Sequence, residues 1–191
     1  MFNESIKNSF TLSFDSWTTD RKIANTGSEY QVDIGSAANI NSPKYLIVAH
    51  QTAARSGAAN KTTNNAIFDN LDVTKYFVEI DGIRYPKDSV ETNYDENNYL
   101  DQYRDIKLFY KEYVGEPLLS PFINYTDVKS TYPLQVIDLR FQVDHINPKK
   151  IQLFEAYRND PANAKLFLVL IRHREIKMVS DGTKITEITI I

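Results

Sequence analysis

Two pairs of carboxylates, Glu79 with Asp81 and Asp138 with Asp144, and three histidines, His50, His145 and His173, are the side chains whose types could do chemistry. A carboxylate pair on a β-sandwich is what a glycoside hydrolase needs, one member holding a proton and the other acting as base or nucleophile. Spacing along the chain does not set the separation of either pair. Asp81 precedes Gly82, a dipeptide that two-residue hairpins select. Salt links and turn formation are therefore the simpler roles for these four acids. The histidines are far apart and form no H-x-H or H-x3-H pair. A metal site of cupin type needs several such ligands converging on one ion, so none is expected. His50, ending an apolar strand, is expected at a rim, and His173 in "IRHRE" on a solvated strand face.

Composition removes other chemistries. The chain has no cysteine, which excludes a disulfide scaffold, a thiolate zinc site and a cysteine nucleophile together. Neither a G-x-S-x-G elbow nor a G-x-x-x-x-G-K-[ST] phosphate loop occurs among six glycines. No catalytic, cofactor-binding or metal-ligating residue is assigned, and no cofactor is expected. The 22 basic and 25 acidic residues leave a net charge of -3, with no general attraction to phosphate backbones or anionic membranes. "NPKK" and "RHREIK" are short and read as solvated strand faces or protected sheet edges. Direct nucleic-acid binding is not expected. The longest apolar run, "LFLVLI" at 166 to 171, is strand-sized, so no membrane span is expected either.

The elements that would carry these residues follow from periodicity. Alternation in "FTLSFDSW" places Phe10, Leu12 and Phe14 on one face, and in "EYQVDIG" it does the same for Tyr30, Val32 and Ile34; both read as half-buried strands. "PKYLIVAHQ" reads as a strand buried on both faces. Residues 1–9 are expected to be a flexible arm, and 52–66, polar and without period, an exposed loop. A strand at 73–80, the Asp81-Gly82 turn and a short strand at 83–86 form a hairpin. In "PLQVIDLRFQVD" the apolar members Leu134, Val136, Leu139, Phe141 and Val143 change phase near Asp138, which predicts a bulge or bend. Three more strands follow, the last two joined at Ser180-Asp181-Gly182, for nine or ten in all.

One helix interrupts them, at 97–114, within an insertion spanning 87–133. Tyr99, Tyr103, Ile106, Tyr110 and Tyr113 recur at spacings of four, three, four and three and form its expected buried stripe. Asn97 or Asn98 is the expected cap, with Gly115 and Pro117 ending it. The fold class is all-β, a sandwich of two antiparallel sheets with one inserted amphipathic helix, in a single domain over 1–191.

"KYFVEIDGIRYPKD", "ENNYLDQYRDIKLFYKEYVGEPLLSPF", "YPLQVIDLRFQVDHINPKKIQLFE" and "LVLIRHREIKMVSDGTKITEI", in this order, resemble the C-terminal jelly roll of double-jelly-roll major capsid proteins. The likeness is to those of Polinton/Maverick elements and, more distantly, of virophages and adenovirus-like viruses. It runs from about Ser28 to the C-terminus, and its most specific parts are "IDGIRYP", "YLDQYR" and "VIDLRFQVDH". The resemblance implies a jelly roll with a helix-bearing crossing loop and a structural, non-enzymatic role in an icosahedral capsid. It also implies self-association into capsomers, trimeric when the full double jelly roll is present, beside neighbouring capsid and penton proteins in a virion assembled inside the host cell. Such a subunit carries two jelly rolls in tandem, and 191 residues hold one. The chain is thus read as a C-terminal half or as a free-standing single-jelly-roll relative. Rival readings are a carbohydrate-binding or glycosidase-like sandwich and a host protein derived from a capsid gene. A deep cleft with paired carboxylates and exposed aromatics would favour the sugar-binding reading.

Overall fold

The computed structural model describes residues 8–24, 27–34, 42–56, 66–115, 123–140, 150–161, 163–180 and 185–190. Nine strands and three helices occur among them: β1 Asn8–Ile23, β2 Glu29–Asp33, β3 Pro43–Gln51, α1 Ala53–Ser56, β4 Val73–Ile80, β5 Ile83–Glu91, α2 Leu100–Val114, α3 Tyr125–Ser130, β6 Gln135–Asp138, β7 Ile151–Tyr157, β8 Lys165–Ser180 and β9 Ile185–Ile190. The first sheet runs β1-β8-β3-β6, with β9 against the far half of β8, and the second runs β2-β7-β4-β5. All pairs are antiparallel. The first eight strands thus interlock as two four-stranded sheets in jelly-roll order, the all-β sandwich expected from the sequence.

Alternation sorts the side chains. On β3, Leu46, Val48 and His50 point between the sheets and pair with Leu170, Leu168 and Leu166 of β8, while Tyr45 and Ile171 point outward. The second sheet answers with Tyr76, Val78 and Ile80, with Ile151 and Leu153, and with Tyr30, Val32 and Ile34, all buried as the period-two pattern predicts. The Asp81-Gly82 turn forms with both residues at positive φ, 50° and 85°, as a type I′ turn requires.

Several boundaries differ from expectation. β1 already begins at Asn8, within the expected arm, and its Phe10, Leu12 and Phe14 are 50%, 52% and 39% exposed rather than half-buried in the core. The cause is length: β1 and β8 are each sixteen residues long, against five to nine in the second sheet, so their far halves overshoot it. α1 opens the polar 52–66 loop. β5 continues to Glu91, so the helix-bearing insertion begins later than residue 87. β6 stops at Asp138, where the phase change was expected; Phe141, Val143, Asp144, His145 and the Asp181-Gly182 turn lie outside the described residues.

α2 starts at Leu100, three residues after the expected Asn97. Asn97 sits at φ 56° and Asn98 bridges to Asn93, so Tyr99 takes the N-cap position, with no side-chain cap. Gly115, at φ 90°, ends the helix as expected, its N–H donating to the Lys111 carbonyl. The C-terminal half of the helix lies on the outer face of the first sheet. There Phe109 and Tyr113 meet Trp17 and Tyr45 edge-on, with ring centroids 5.1 to 6.2 Å apart. Tyr99, Tyr103, Ile106 and Tyr113 belong to or pack against the core as expected, but Phe109 replaces Tyr110 in that stripe. Gln102 is also fully buried, accepting from the Tyr94 hydroxyl and donating to the Leu134 carbonyl, both at 2.9 Å. Substituting Ile106, 3% exposed, by alanine is expected to cost about 3 kcal/mol, whereas Leu108→Ala, on the exposed face of the same helix, costs less than about 0.5 kcal/mol. Urea midpoints of the two variants measure the difference, and equal midpoints would contradict the packing.

Candidate interaction surfaces

Among the described residues, those with chemical potential are dispersed. Glu79 faces outward from β4 beside Arg84, 4.0 Å away. Asp81 sits in its turn at φ 50°, and its Oδ1 accepts from the Lys150 N–H, just before β7, at 2.9 Å. Asp138 accepts from the Arg140 guanidinium at 2.6 Å, and Arg140 also bonds Glu112 of α2. His173 lies half-exposed on the strand face expected of it, 3.3 Å from Glu175 and 3.6 Å from Asp15. Among the described residues no group of three or more His, Cys, Asp or Glu is placed to hold a metal ion.

His50 departs from expectation. It is not a rim residue but a core one, 1% exposed, because it continues the inward phase of Leu46 and Val48. Its Nε2 lies 2.9 Å from Glu155 Oε1, at ion-pair distance. Glu155 occupies the inward phase of Ile151, Leu153 and Tyr157 on β7, in the opposite sheet. Gln135 of β6 donates to its Oε1 and the Tyr157 hydroxyl to its Oε2, both at 2.7 Å. Complete burial pushes the Glu155 carboxyl up, but the nearby charge of His50, with the donors Tyr157 and Gln135, more than reverses this and leaves it below the usual glutamate range. Sequence reasoning did not single out Glu155; a carboxylate in phase with three core residues was the available signal. The arrangement is a clamp between sheets. Being sealed from solvent, it offers no substrate a path to the acid.

Two surface hollows remain. A groove of about 340 Å³ between α2, β5 and β6 carries Asp88, Asp101, Asp105 and Asp138. Asp101 and Asp105 share Arg104, at 2.7 and 3.2 Å. Burial pushes the Asp105 carboxyl above the usual aspartate range, with Arg104 pulling the other way. Among the described residues no aromatic ring lines this groove. The aromatics lie elsewhere, on the outer face of the second sheet, where Phe77 and Phe154 stack at 4.8 Å and the Arg84 guanidinium covers Phe77 at 3.9 Å. The clustered aspartates thus lie on one surface, and the Phe77–Phe154 stack lies on another, in a hollow of about 460 Å³ that Glu29, Lys75 and Arg84 also line.

A third surface is the α2 strap. Burial raises the Asp15 carboxyl, and Lys44 at 2.8 Å with the Tyr113 hydroxyl at 2.9 Å more than reverse that, so it sits below the usual aspartate range. Lys44 also reaches Glu112, and Tyr45 donates to the same carboxylate. These contacts fix the C-terminal half of the helix to β1 and β3.

Comparison with known proteins places this geometry. The family described as double jelly roll-like domain matches residues 3–176. No curated protein matches the chain. Among solved structures, the chain is similar to a chain of the quasi-atomic model of the PBCV-1 virus capsid, with TM-score 0.47 and 9% sequence identity. The likeness covers 95% of this chain and 52% of that one, so the chain spans about half the length of that capsid chain.

The clamp makes a prediction about pH. Because folding depresses the Glu155 pKa, its contribution is complete above about pH 4.3, the unfolded value, and is lost as pH falls through the lower folded value. Glu155→Ala leaves His50, Gln135 and Tyr157 without their shared partner and is expected to cost about 3 kcal/mol at pH 7. Thermal melts of wild type and variant between pH 7 and strong acid are expected to converge toward the acid end. A gap that stays constant with pH would contradict the charged state of the clamp.

Proposed function

The chain belongs to the double jelly roll-like domain family, and we propose that it is a structural capsid protein, one jelly roll of the major coat of a Polinton-like virus or element, that works by assembly and not by catalysis. The observation that carries this reading is the family match over residues 3–176, lying on a complete set of eight strands in jelly-roll order. The dispersal of the candidate acids supports it. Glu79 and Asp138 are engaged by arginines, Asp81 by the Lys150 N–H, and Glu155 is sealed inside.

In this role the whole of 1–191 acts as one jelly-roll unit, and a trimeric capsomer with six jelly rolls forms when a second jelly roll accompanies each copy. Neighbouring capsid and penton proteins complete the shell, and the place of action is the virion, assembled inside the host cell. The net charge of -3 supports packing against other coat subunits rather than against the enclosed nucleic acid.

The test is the identity of the coat. Mass spectrometry of the main coat polypeptide of purified particles is expected to return peptides of this chain. Particles whose coat lacks them would overturn the reading. A panel of glycans is expected to show neither binding nor hydrolysis with the wild-type chain, and turnover abolished by Asp105→Asn or Asp138→Asn would favour the glycosidase rival instead.

A further inference from the structure

β1 is an edge of the first sheet, bonded to β8 on one side and to no strand on the other among the described residues. Which backbone groups face that open side follows from the ladder. Residues of an antiparallel strand alternate between bonding one neighbour and turning to the other side. Ala24, next after β1, donates its N–H to the Ala164 carbonyl at 2.8 Å, continuing the register that pairs Ile23 with Lys165. Even-numbered residues of β1 therefore bond β8, and odd-numbered ones turn their N–H and C=O to the open side. Two further contacts agree. His173, opposite Asp15, sends its N–H away from β1, to the Ser42 carbonyl beside β3. Arg21, an odd-numbered residue, has its N–H taken by the adjacent Asp20 carboxylate at 2.7 Å. Before that cap, the N–H and C=O groups of Ser9, Thr11, Ser13, Asp15, Trp17 and Thr19 lie along the open edge, spaced by about 6.8 Å.

The other edges are guarded. β2, β6 and β9 have five, four and six residues, and β5 carries Pro86 and a register shift. Short edges, proline and bulges are the devices that stop a sheet from recruiting another strand. β1 has sixteen residues in unbroken register, no proline, and no charged side chain from Ser9 to Phe14. On the inward face its edge is flanked by the exposed Phe10, Leu12 and Phe14, with Arg174 beside Phe14, and on the outward face by the exposed Trp17.

We propose that this edge takes up an extended strand of a different polypeptide, which joins the sheet antiparallel to β1 over 9–19. The backbone specifies the class of occupant. A regular row of donors and acceptors is matched by another strand, and not by a helix, whose backbone is already bonded internally. The flanking side chains specify its pattern: apolar residues opposite Phe10, Leu12 and Phe14, polar ones opposite Thr11, Ser13 and Asp15, since cross-strand partners share a face. In that alignment the polar residues of the incoming strand exchange hydrogen bonds with β1, because they stand opposite its odd-numbered residues. β1 of a second copy fits this pattern poorly. Two-fold pairing over all of 9–19 centres on Phe14 and sets Phe10 against Thr18 and Leu12 against Ser16. On the coat-protein reading the strand comes from a neighbouring coat chain, and the inference rests on that reading for the source of the strand alone. Peptide binding tests the edge and the coat polypeptide tests the reading, so either can fail alone.

The probe is a labelled peptide of about ten alternating valines and threonines between terminal lysines. Its fluorescence anisotropy, titrated with the full chain, is expected to show saturable binding with a Kd of about 100 µM. Methylating the backbone nitrogens of its threonines, which face β1, is expected to weaken binding at least about tenfold, whereas methylating those of its valines changes it less than about twofold. Ser13→Pro removes an N–H from the open edge without breaking the β8 ladder, and is expected to keep the circular dichroism melt while weakening the peptide at least about tenfold. The two methylated peptides probe the wild-type chain, so they decide the matter even where the proline variant loses its fold. Three results would overturn the proposal: no binding up to about 1 mM, equal loss from both methylations, or dimerisation of the chain alone that Ser13→Pro abolishes, which assigns the edge to a second copy.

Discussion

The pairing of β1 with β8 is the constraint on which everything else rests. It joins residues 8–23 to 165–180 over sixteen consecutive pairs without a shift, bringing the two ends of the described chain side by side. Closing a loop of that length costs on the order of 5 kcal/mol in chain entropy, which no single contact returns. The return comes from what β8 then organises. Its inward residues build the core against the second sheet, and Ile171, outward, is buried in the layer that α2 covers. Its far half carries β9. A break in the alternation of β8 would misplace both layers at once.

The second sheet is held to the first in two ways that differ in kind. Most of the interface is apolar and non-directional, so it tolerates small adjustments. The Glu155 clamp is directional: a carboxylate on β7 meets His50 on β3 and Gln135 on β6, and those partners suit one register. Buried ionic groups of this sort are costly when partly satisfied. Here the cost is visible, since Gln135 Oε1 is buried with no hydrogen-bond partner among the described residues, and His50 Nε2 meets Glu155 Oε1 at ion-pair distance without a well-directed hydrogen bond. A clamp of this type adds more to the uniqueness of the sheet alignment than to net stability.

α2 makes the first sheet asymmetric. One part of the sheet is covered on both faces, while Phe10, Leu12 and Phe14 on the overshooting half of β1 are exposed. The covered part gives a rigid body, and the open part gives a surface that water solvates poorly.

Much of this was legible in the residues. Alternation, a continuous apolar run at β3 and the hairpin turn before β5 located all nine described strands, Asp81-Gly82 specified a type I′ turn, and a Tyr-rich stripe ended by Gly115 marked α2 to within three residues at its start. These are local properties, set by side-chain period and by the backbone preferences of a few residues. What stayed hidden was non-local. Alternation divides a strand into two faces but does not say what lies opposite either one. Phe10, Leu12 and Phe14 have the pattern of a core face and are exposed, because the sheet that would cover them ends earlier. His50 and Glu155 have the chemistry of a surface and are buried, because strands about a hundred residues apart in sequence bring each other's charge into reach. The sequence by itself determined the elements and their two faces; only the tertiary structure decided which faces meet, since that depends on the relative lengths and offsets of strands paired across the whole chain.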